Sequence, residues 1–262
     1  DDITKIDINK LEYVDLYIFG FPCQDISTAG KLNLLKGRSI LIYYSLKIID
    51  KIKPKYIFFE NVKGLLSPKF NDFFDEIKNK LSVNYDVKYT ILNSVNFNVP
   101  QNRERVYFIG IRKDLNKDFQ FPNGIITKQI LSDILSKSNN YKILKKSYIL
   151  IDKISKNKIH KYGVFNDTHK RIVAIQNKKL QQTQNIYGIN GVSPTIDAQP
   201  HLPRIFDNKN VREMTVIEKC RLQGFSDNFI FSVTDRQAKK QLGNSMTINV
   251  LEAIFRILFK ND

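Results

Sequence analysis

The 262-residue sequence is poor in the residues that build metal and disulfide scaffolds: two cysteines, Cys23 and Cys220, and three histidines, His160, His169 and His201. There is no C-x-x-C, so neither a structural zinc site nor a disulfide framework is expected; no metal is expected, and a reducing, cytoplasmic setting fits. No stretch approaches the roughly 18 uninterrupted apolar residues of a membrane span. No signal-peptide pattern opens the chain either. Glycine is sparse, at 11 residues, and no two are spaced as G-x-G. The sequence therefore lacks a glycine-rich loop of the kind that cradles a nucleotide.

Acidic residues are also few, 26 Asp and Glu against 42 Lys and Arg, for a formal net charge of +16. An excess of this sign favours a polyanionic partner through phosphate neutralisation and counterion release. A composition bias towards Lys, Asn and Ile would give the same total. The distribution separates the two readings: Lys128 to Lys179 holds 13 basic residues against 3 acidic, so +10 of the +16 sits there. That concentration reads as a binding face.

What is present is globular in character, 42% hydrophobic, and enough for one large domain or two modest ones. Tyr13 to Gly20 and Lys55 to Phe59 are apolar runs suited to buried parallel strands, with a helical spacing between them from Ser39 to Lys53 that stops at Pro54. A second helix is predicted over Asp72 to Leu81, then strands over Asp86 to Leu92 and Arg105 to Arg112. Strands alternating with helices predict a doubly wound sheet with ligands beyond the carboxyl ends of its strands. After Pro122 the alternation fades and short β-like runs take over, which predicts a second domain; Arg212 to Gly224 and Ser245 to Lys260 again read as helical.

Five blocks carry chemistry. Gly20-Phe21-Pro22-Cys23-Gln24 follows a strand, where an α/β fold places reactive groups, with Lys31 and Arg38 near enough in sequence to favour a thiolate. A lone cysteine is more often a buried hydrophobe, although Pro-Cys-Gln is not a core filler. Glu60-Asn61-Val62 ends the next strand; a carboxylate there can protonate a ring nitrogen if burial raises its pKa. Gln101-Asn102-Arg103-Glu104-Arg105 places two arginines at alternate positions, pointing the same way on an extended segment. Arg221-Leu222-Gln223-Gly224-Phe225 and Gln241-Leu242-Gly243-Asn244-Ser245 complete the set. Asn or Ser just before a helix is commonly only a cap.

In this order, GFPCQ, ENV, QxRxR, RLQGF and GNS resemble the DNA (cytosine-5) methyltransferase family over nearly the whole chain, with about Thr127 to Asn185 lacking a family pattern. The resemblance implies an α/β, S-adenosylmethionine-dependent (Rossmann-like) catalytic domain over 1–125 and 241–262. A smaller, basic, mainly β target-recognition domain is implied over 126–240. It implies Cys23 as the nucleophile adding to carbon 6 of cytosine, and Glu60 at N3 and the exocyclic amine. Arg105, with Arg103 beside it, is implied at the position-2 oxygen. Asp2, Ile3, Phe21, Pro22, Asn244 and Ser245 would contact S-adenosylmethionine. Gln24, Ser27 and Arg38 would lie in the loop that closes on DNA. His160, Tyr162, His169, Lys170, Arg171 and Arg204 are candidate DNA contacts, each of which is by itself more commonly a solvated surface group.

The base must leave the duplex for this chemistry, and Gly30 and Gly37 are candidate hinges of the closing loop. Relatives open with the glycine-rich cofactor strand and loop that this sequence lacks. The chain also does not begin with Met, so the catalytic domain is expected to be N-terminally incomplete, with its front upstream or on a separate chain. Double-stranded DNA is the expected partner, with a cognate restriction endonuclease encoded nearby, and the expected state is a monomer. A tRNA methyltransferase of the same family and a non-catalytic DNA-binding fragment remain as alternatives. A cysteine hydrolase is rejected because all three histidines fall in the basic region. Cys220 matches no reactive position and is read as packing.

Overall fold

A computed structural model describes residues 2–22, 40–125, 127–137, 141–144, 148–150, 172–176, 185–207 and 209–260. The chain forms two compact units, residues 1–92 with 104–121, and residues 93–103 with 122–262. Residues 241–262, expected with the catalytic domain, group with the second unit.

In the first unit, β1 (Leu16–Phe19) is followed by α1 (Leu41–Ile52), β2 (Tyr56–Val62), α2 (Asn71–Ser82) and β3 (Tyr85–Asn93). After β4 (Gln101–Asn102), which belongs to the second unit, β5 (Glu104–Arg112) returns to the first. Helix α1 buries Ile42, Leu46 and Ile49, a stripe at helical spacing. It ends where predicted: Lys53 takes a left-handed conformation (φ 45°), its N–H bonds to Ile49 O, and Pro54 cannot continue the helix. Helix α2 buries Phe73, Phe74, Ile77 and Leu81.

The four strands are ordered β1-β2-β5-β3. Strands β1 and β2 are parallel, as expected, with Phe19 level with Phe59. Strand β5 departs from that direction within the α/β sheet, running antiparallel to β2 with Arg105 level with Val62. The physical reason is the connection: β3 and β5 are joined without an α-helix, and a parallel return needs a longer crossover. Aromatic rings cross the whole sheet. Phe19 stacks on Phe59 at 4.9 Å, Phe59 on Phe108 at 4.0 Å and Phe108 on Tyr89 at 5.5 Å, one ring from each strand. Phe74 of α2 meets the edge of Tyr89 at 4.9 Å.

The second unit pairs β4 with β9 (Ser193–Pro194) in parallel. It also holds a five-stranded sheet made of β6 (Tyr148–Leu150), β7 (Ile172–Gln176), β8 (Asn185–Gly188), β10 (Arg204–Phe206) and β11 (Val211–Glu213). Its order is β11-β10-β8-β7-β6. Three helices follow: α3 (Val216–Leu222), α4 (Asp235–Asn244) and α5 (Ile248–Leu258). The helix expected from Arg212 begins later, because Val211–Glu213 pairs with β10 as a strand and Thr215 caps α3 in a capping box with Glu218. Gly224 ends that helix with φ 76°, and a β-carbon there would lie 2.0 Å from Asn249 Oδ1.

A buried ion cluster joins strand to helix. Arg212 donates through both terminal nitrogens to the Glu218 carboxylate at 2.9 Å, and through Nε to Asp207 at 2.9 Å. Glu218 also accepts from the Thr215 and Ser136 backbone N–H groups. Burial alone would push the Glu218 carboxyl up, yet these donors hold it below the ordinary glutamate value. With its folded value depressed, Glu218 contributes stability that is complete above the ordinary glutamate range and lost as pH falls through the folded value.

Replacing Arg212 by Leu strands a buried carboxylate and is expected to cost about 3–5 kcal/mol in a urea melt at neutral pH. The loss should shrink in acid, where Glu218 takes up a proton. An equal loss at both pH values would remove the ion pair from the account.

Candidate active site

The parallel pairing of β1 and β2 puts both carboxyl ends at one edge of the first unit's sheet, and the antiparallel β5 begins at that same edge. Two side chains meet there. Glu60, near the end of β2, and Arg105, near the start of β5, approach at 3.1 Å from Oε1 to Nε, each only 15% exposed. Their strands place them diagonally, since Glu60 is level with Tyr107 and Val62 with Arg105. Arg105 also donates through Nη1 to Glu104 O at 2.8 Å. A half-buried carboxylate held by a fixed guanidinium can address adjacent polar atoms of one planar ring.

Between Glu60 and Val62 lies a residue whose role sequence reasoning missed. Asn61 is buried at 2% exposure and its Nδ2 donates to Phe21 O at 3.1 Å, while its Oδ1 accepts from Val62 N–H at 2.8 Å. It therefore ties the end of β2 to the backbone two residues before Cys23. The signal was available: a polar, uncharged residue closing a buried apolar strand needs a partner.

The Phe21 ring packs in the core against Phe59 and Phe73, at 6.3 and 6.2 Å. Pro22 is half-buried. Asp2 is exposed and caps a short 3-10 turn, accepting from Thr4 N–H at 3.0 Å and Thr4 Oγ1 at 2.8 Å. Those Thr4 bonds hold its carboxyl below the ordinary aspartate value. Ile3 follows it, half-buried. Cys23, Gln24, Ser27, Arg38, His160, Tyr162, His169, Lys170 and Arg171 lie outside the described residues.

In the second unit, Arg103 is not placed as its neighbour is. It is 3% exposed, and its guanidinium donates to Ile196 O at 2.8 Å, Gly243 O at 3.3 Å and Ser245 O at 2.8 Å. The expectation that Arg103 and Arg105 present their guanidinium groups together is thus corrected: the chain leaves β4 at Arg103 and enters β5 at Glu104, and each side chain is held by its own unit. Asn244 and Ser245 are likewise not caps before the last helix. Asn244 ends α4 and is exposed; Ser245 follows, half-buried, with its Oγ donating to Leu242 O at 2.8 Å. Arg204 sits in β10 level with Glu213, and burial holds it below the ordinary arginine value. Cys220 is buried, and burial pushes its thiol up to about 11, as befits packing.

The edge described here sets a carboxylate and a guanidinium together where β2 ends and β5 begins, in the mixed α/β sheet of a methyltransferase domain. The chain belongs to the C-5 cytosine-specific DNA methylase family, whose description it matches over residues 1–260. It is 34% identical over 270 residues to the Type II methyltransferase M.SsoII of Shigella sonnei, covering 97% of this chain and 66% of that protein. It is 33% identical over 269 residues to M1.ScrFI of Lactococcus lactis subsp. cremoris, covering 97% and 64%. The chain thus spans slightly less than two thirds of these relatives' length. Among solved structures, S. pombe Dnmt2 methyltransferase superposes with a TM-score of 0.66 at 18% identity, covering 99% of this chain and 83% of that one. The Entamoeba histolytica methyltransferase EhMeth gives 0.63 at 22%, covering 99% and 82%. At these identities the likeness is one of fold.

Replacing Asn61 by Ala leaves the buried Phe21 carbonyl without its donor and is expected to cost about 1–3 kcal/mol in a thermal or urea melt. A melt indistinguishable from that of the parent would sink the tie. Cys220 should resist iodoacetamide at neutral pH until the protein is unfolded, as read by peptide mass spectrometry; rapid labelling of the native protein would contradict its buried, neutral thiol.

Proposed function

We propose that the chain methylates carbon 5 of cytosine in duplex DNA, with Cys23 as nucleophile and Glu60 and Arg105 as the groups that hold the ring. The observation that carries this reading is the Glu60–Arg105 pair at the carboxyl edge of the sheet, 3.1 Å apart and largely buried. An extruded cytosine presents N3, its amine and its position-2 oxygen along one edge. The carboxyl of Glu60 addresses N3 and the amine, and the Arg105 guanidinium the oxygen, so a proton held at N3 draws electron density from carbon 6. The Cys23 thiolate then forms its bond to carbon 6, which makes carbon 5 nucleophilic. Once carbon 5 carries the transferred methyl group, loss of its proton to water and departure of the thiolate from carbon 6 restore the aromatic ring and the free cysteine.

S-adenosylmethionine, when bound, supplies the electrophilic methyl group. The residues present fit it in part. Asn244 is an exposed amide on a turn whose carbonyls are already engaged, and Asp2 is an exposed carboxylate, both suited to a zwitterionic, hydroxylated ligand. Ser245 would add a hydroxyl, Ile3 apolar contact, and Phe21 and Pro22 backbone groups. The basic region from Lys128 to Lys179, within the segment 126–240, is assigned to target recognition, with His160, Tyr162, His169, Lys170, Arg171 and Arg204 as its candidate contacts and Gln24, Ser27 and Arg38 in the closing loop. The same reading gives the chain a cognate restriction endonuclease encoded nearby and monomeric action on DNA.

The direct test mixes the protein, S-adenosylmethionine and a duplex pool containing 5-fluorocytosine. Fluorine at carbon 5 cannot leave as a proton does, so an adduct should accumulate on Cys23, read by mass spectrometry. Cys23→Ala should abolish it while DNA binding persists; turnover in that variant would overturn the mechanism. DNA affinity should fall by about tenfold or more between about 50 and 200 mM salt, from the phosphates neutralised. A flat response would count against the basic region as a DNA face.

A further inference from the structure

The segment that bears Asn244 and Ser245 is held from beneath by buried polar side chains drawn from three separate stretches of the second unit. Arg103 joins Ile196 O to Gly243 O and Ser245 O. Gln223, with no exposed surface, donates to Leu242 O at 2.8 Å and Ser245 O at 3.2 Å. Its own carbonyl oxygen accepts from Thr247 Oγ1 at 2.8 Å and from Gln101 Nε2 at 3.3 Å. Gln101 in turn donates to Leu222 O at 2.8 Å and accepts from Ile196 N–H at 3.0 Å. Ser94 Oγ closes the group against Thr247 at 2.8 Å. Thus the carbonyls of Leu242, Gly243 and Ser245, which leave the last turn of α4, each have a side-chain donor.

Gly243 shows how tightly this turn is seated. A β-carbon there would lie 1.9 Å from Asp197 O and 2.6 Å from Ala198 N, both backbone atoms that have no room to give. The turn therefore lies flush on the 196–198 segment, and the arginine that spans them fixes one against the other. The outward consequence is a pre-set position for Asn244, exposed at the end of a turn whose backbone is committed inward.

We infer that Arg103, through Gly243 and Ser245, and Gln223 and Thr247 behind it, are positioning residues for the cofactor contacts of Asn244 and Ser245. Arg103 thereby parts company with Arg105, which serves the base. This inference rests on the proposed reading that Asn244 meets S-adenosylmethionine. A charged fork suits the place because it satisfies carbonyls from two segments at once, which an ammonium point charge cannot do in the same plane.

The test uses the full protein and S-adenosylhomocysteine binding by calorimetry, alongside the 5-fluorocytosine trapping rate at saturating S-adenosylmethionine. Arg103→Lys should weaken S-adenosylhomocysteine by about tenfold. The saturated trapping rate should stay within about threefold of the parent, and the DNA dissociation constant within about twofold. Arg105→Lys should do the reverse, slowing trapping with little change in cofactor affinity. Thr247→Val, which removes only the hydroxyl that orients Gln223, provides a gentler variant should Arg103→Lys fail to fold, and should weaken the cofactor by about threefold. A trapping rate lost at unchanged cofactor affinity would put Arg103 at the base and overturn the inference. So would parallel losses of cofactor affinity, trapping and DNA binding in both Arg103→Lys and Thr247→Val, which would make the group a structural support only. Asn244→Ala separates the two levels. If it leaves S-adenosylhomocysteine binding unchanged, the cofactor reading itself fails. If it weakens binding while Arg103→Lys and Thr247→Val do not, only the positioning role is refuted.

Discussion

Strand β5 enters the first unit's sheet between β2 and β3, against the direction of β2, and so begins where β2 ends. That single pairing decides which side chains can meet. Glu60 and Arg105 lie 45 residues apart in sequence and 3.1 Å apart in space only because Val62 is level with Arg105. A slip of one residue would turn Arg105 to the opposite face. The register is protected by the aromatic row, in which Phe59 and Phe108 stack at 4.0 Å and are continued by Phe19 on one side and Tyr89 on the other. Rings of this size cannot shift by one position without leaving the face that α2 covers with Phe74.

The second unit solves a different problem with different means. The turn that closes α4 is built of backbone carbonyls, glycine and short polar residues, which bury little apolar area. Its rigidity comes instead from amides and hydroxyls sealed beneath it, with Gln101, Gln223 and Thr247 each without exposed surface. Such a cluster is stable only when its donors and acceptors are matched, since a stranded buried polar atom costs more than a made bond returns. The Arg212–Glu218–Asp207 cluster follows the same rule with charges, linking β11 to α3 and sandwiching Arg212 against the Tyr141 ring at 4.3 Å.

Much of the frame was legible along the chain. The helix ending at Pro54, the stripe of α2 and the apolar runs of β1 and β2 each follow from short-range rules of spacing and punctuation, and they lie within a few residues of where those rules put them. Glu60 and Arg105 were legible as candidates because the motif blocks mark them. The start of α3 was misread, since Arg212 and Glu213 suit a helix as well as a strand and only the pairing with β10 and the Thr215 cap choose between them.

By itself, then, the sequence determined the residue types, their order and the local elements, together with the basic character of Lys128 to Lys179 and the family to which the motifs point. The tertiary structure alone decided direction and partnership. It made β5 antiparallel, put Asn61 on the Phe21 carbonyl, and sent two arginines that are neighbours in sequence to different work. The physical reason is the range of the forces involved. Hydrophobic periodicity and capping act within a few residues and are written in consecutive letters. Strand register and the pairing of buried polar groups are settled between stretches up to about 150 residues apart, where a hydrogen-bond donor is defined by the acceptor that folding brings to it.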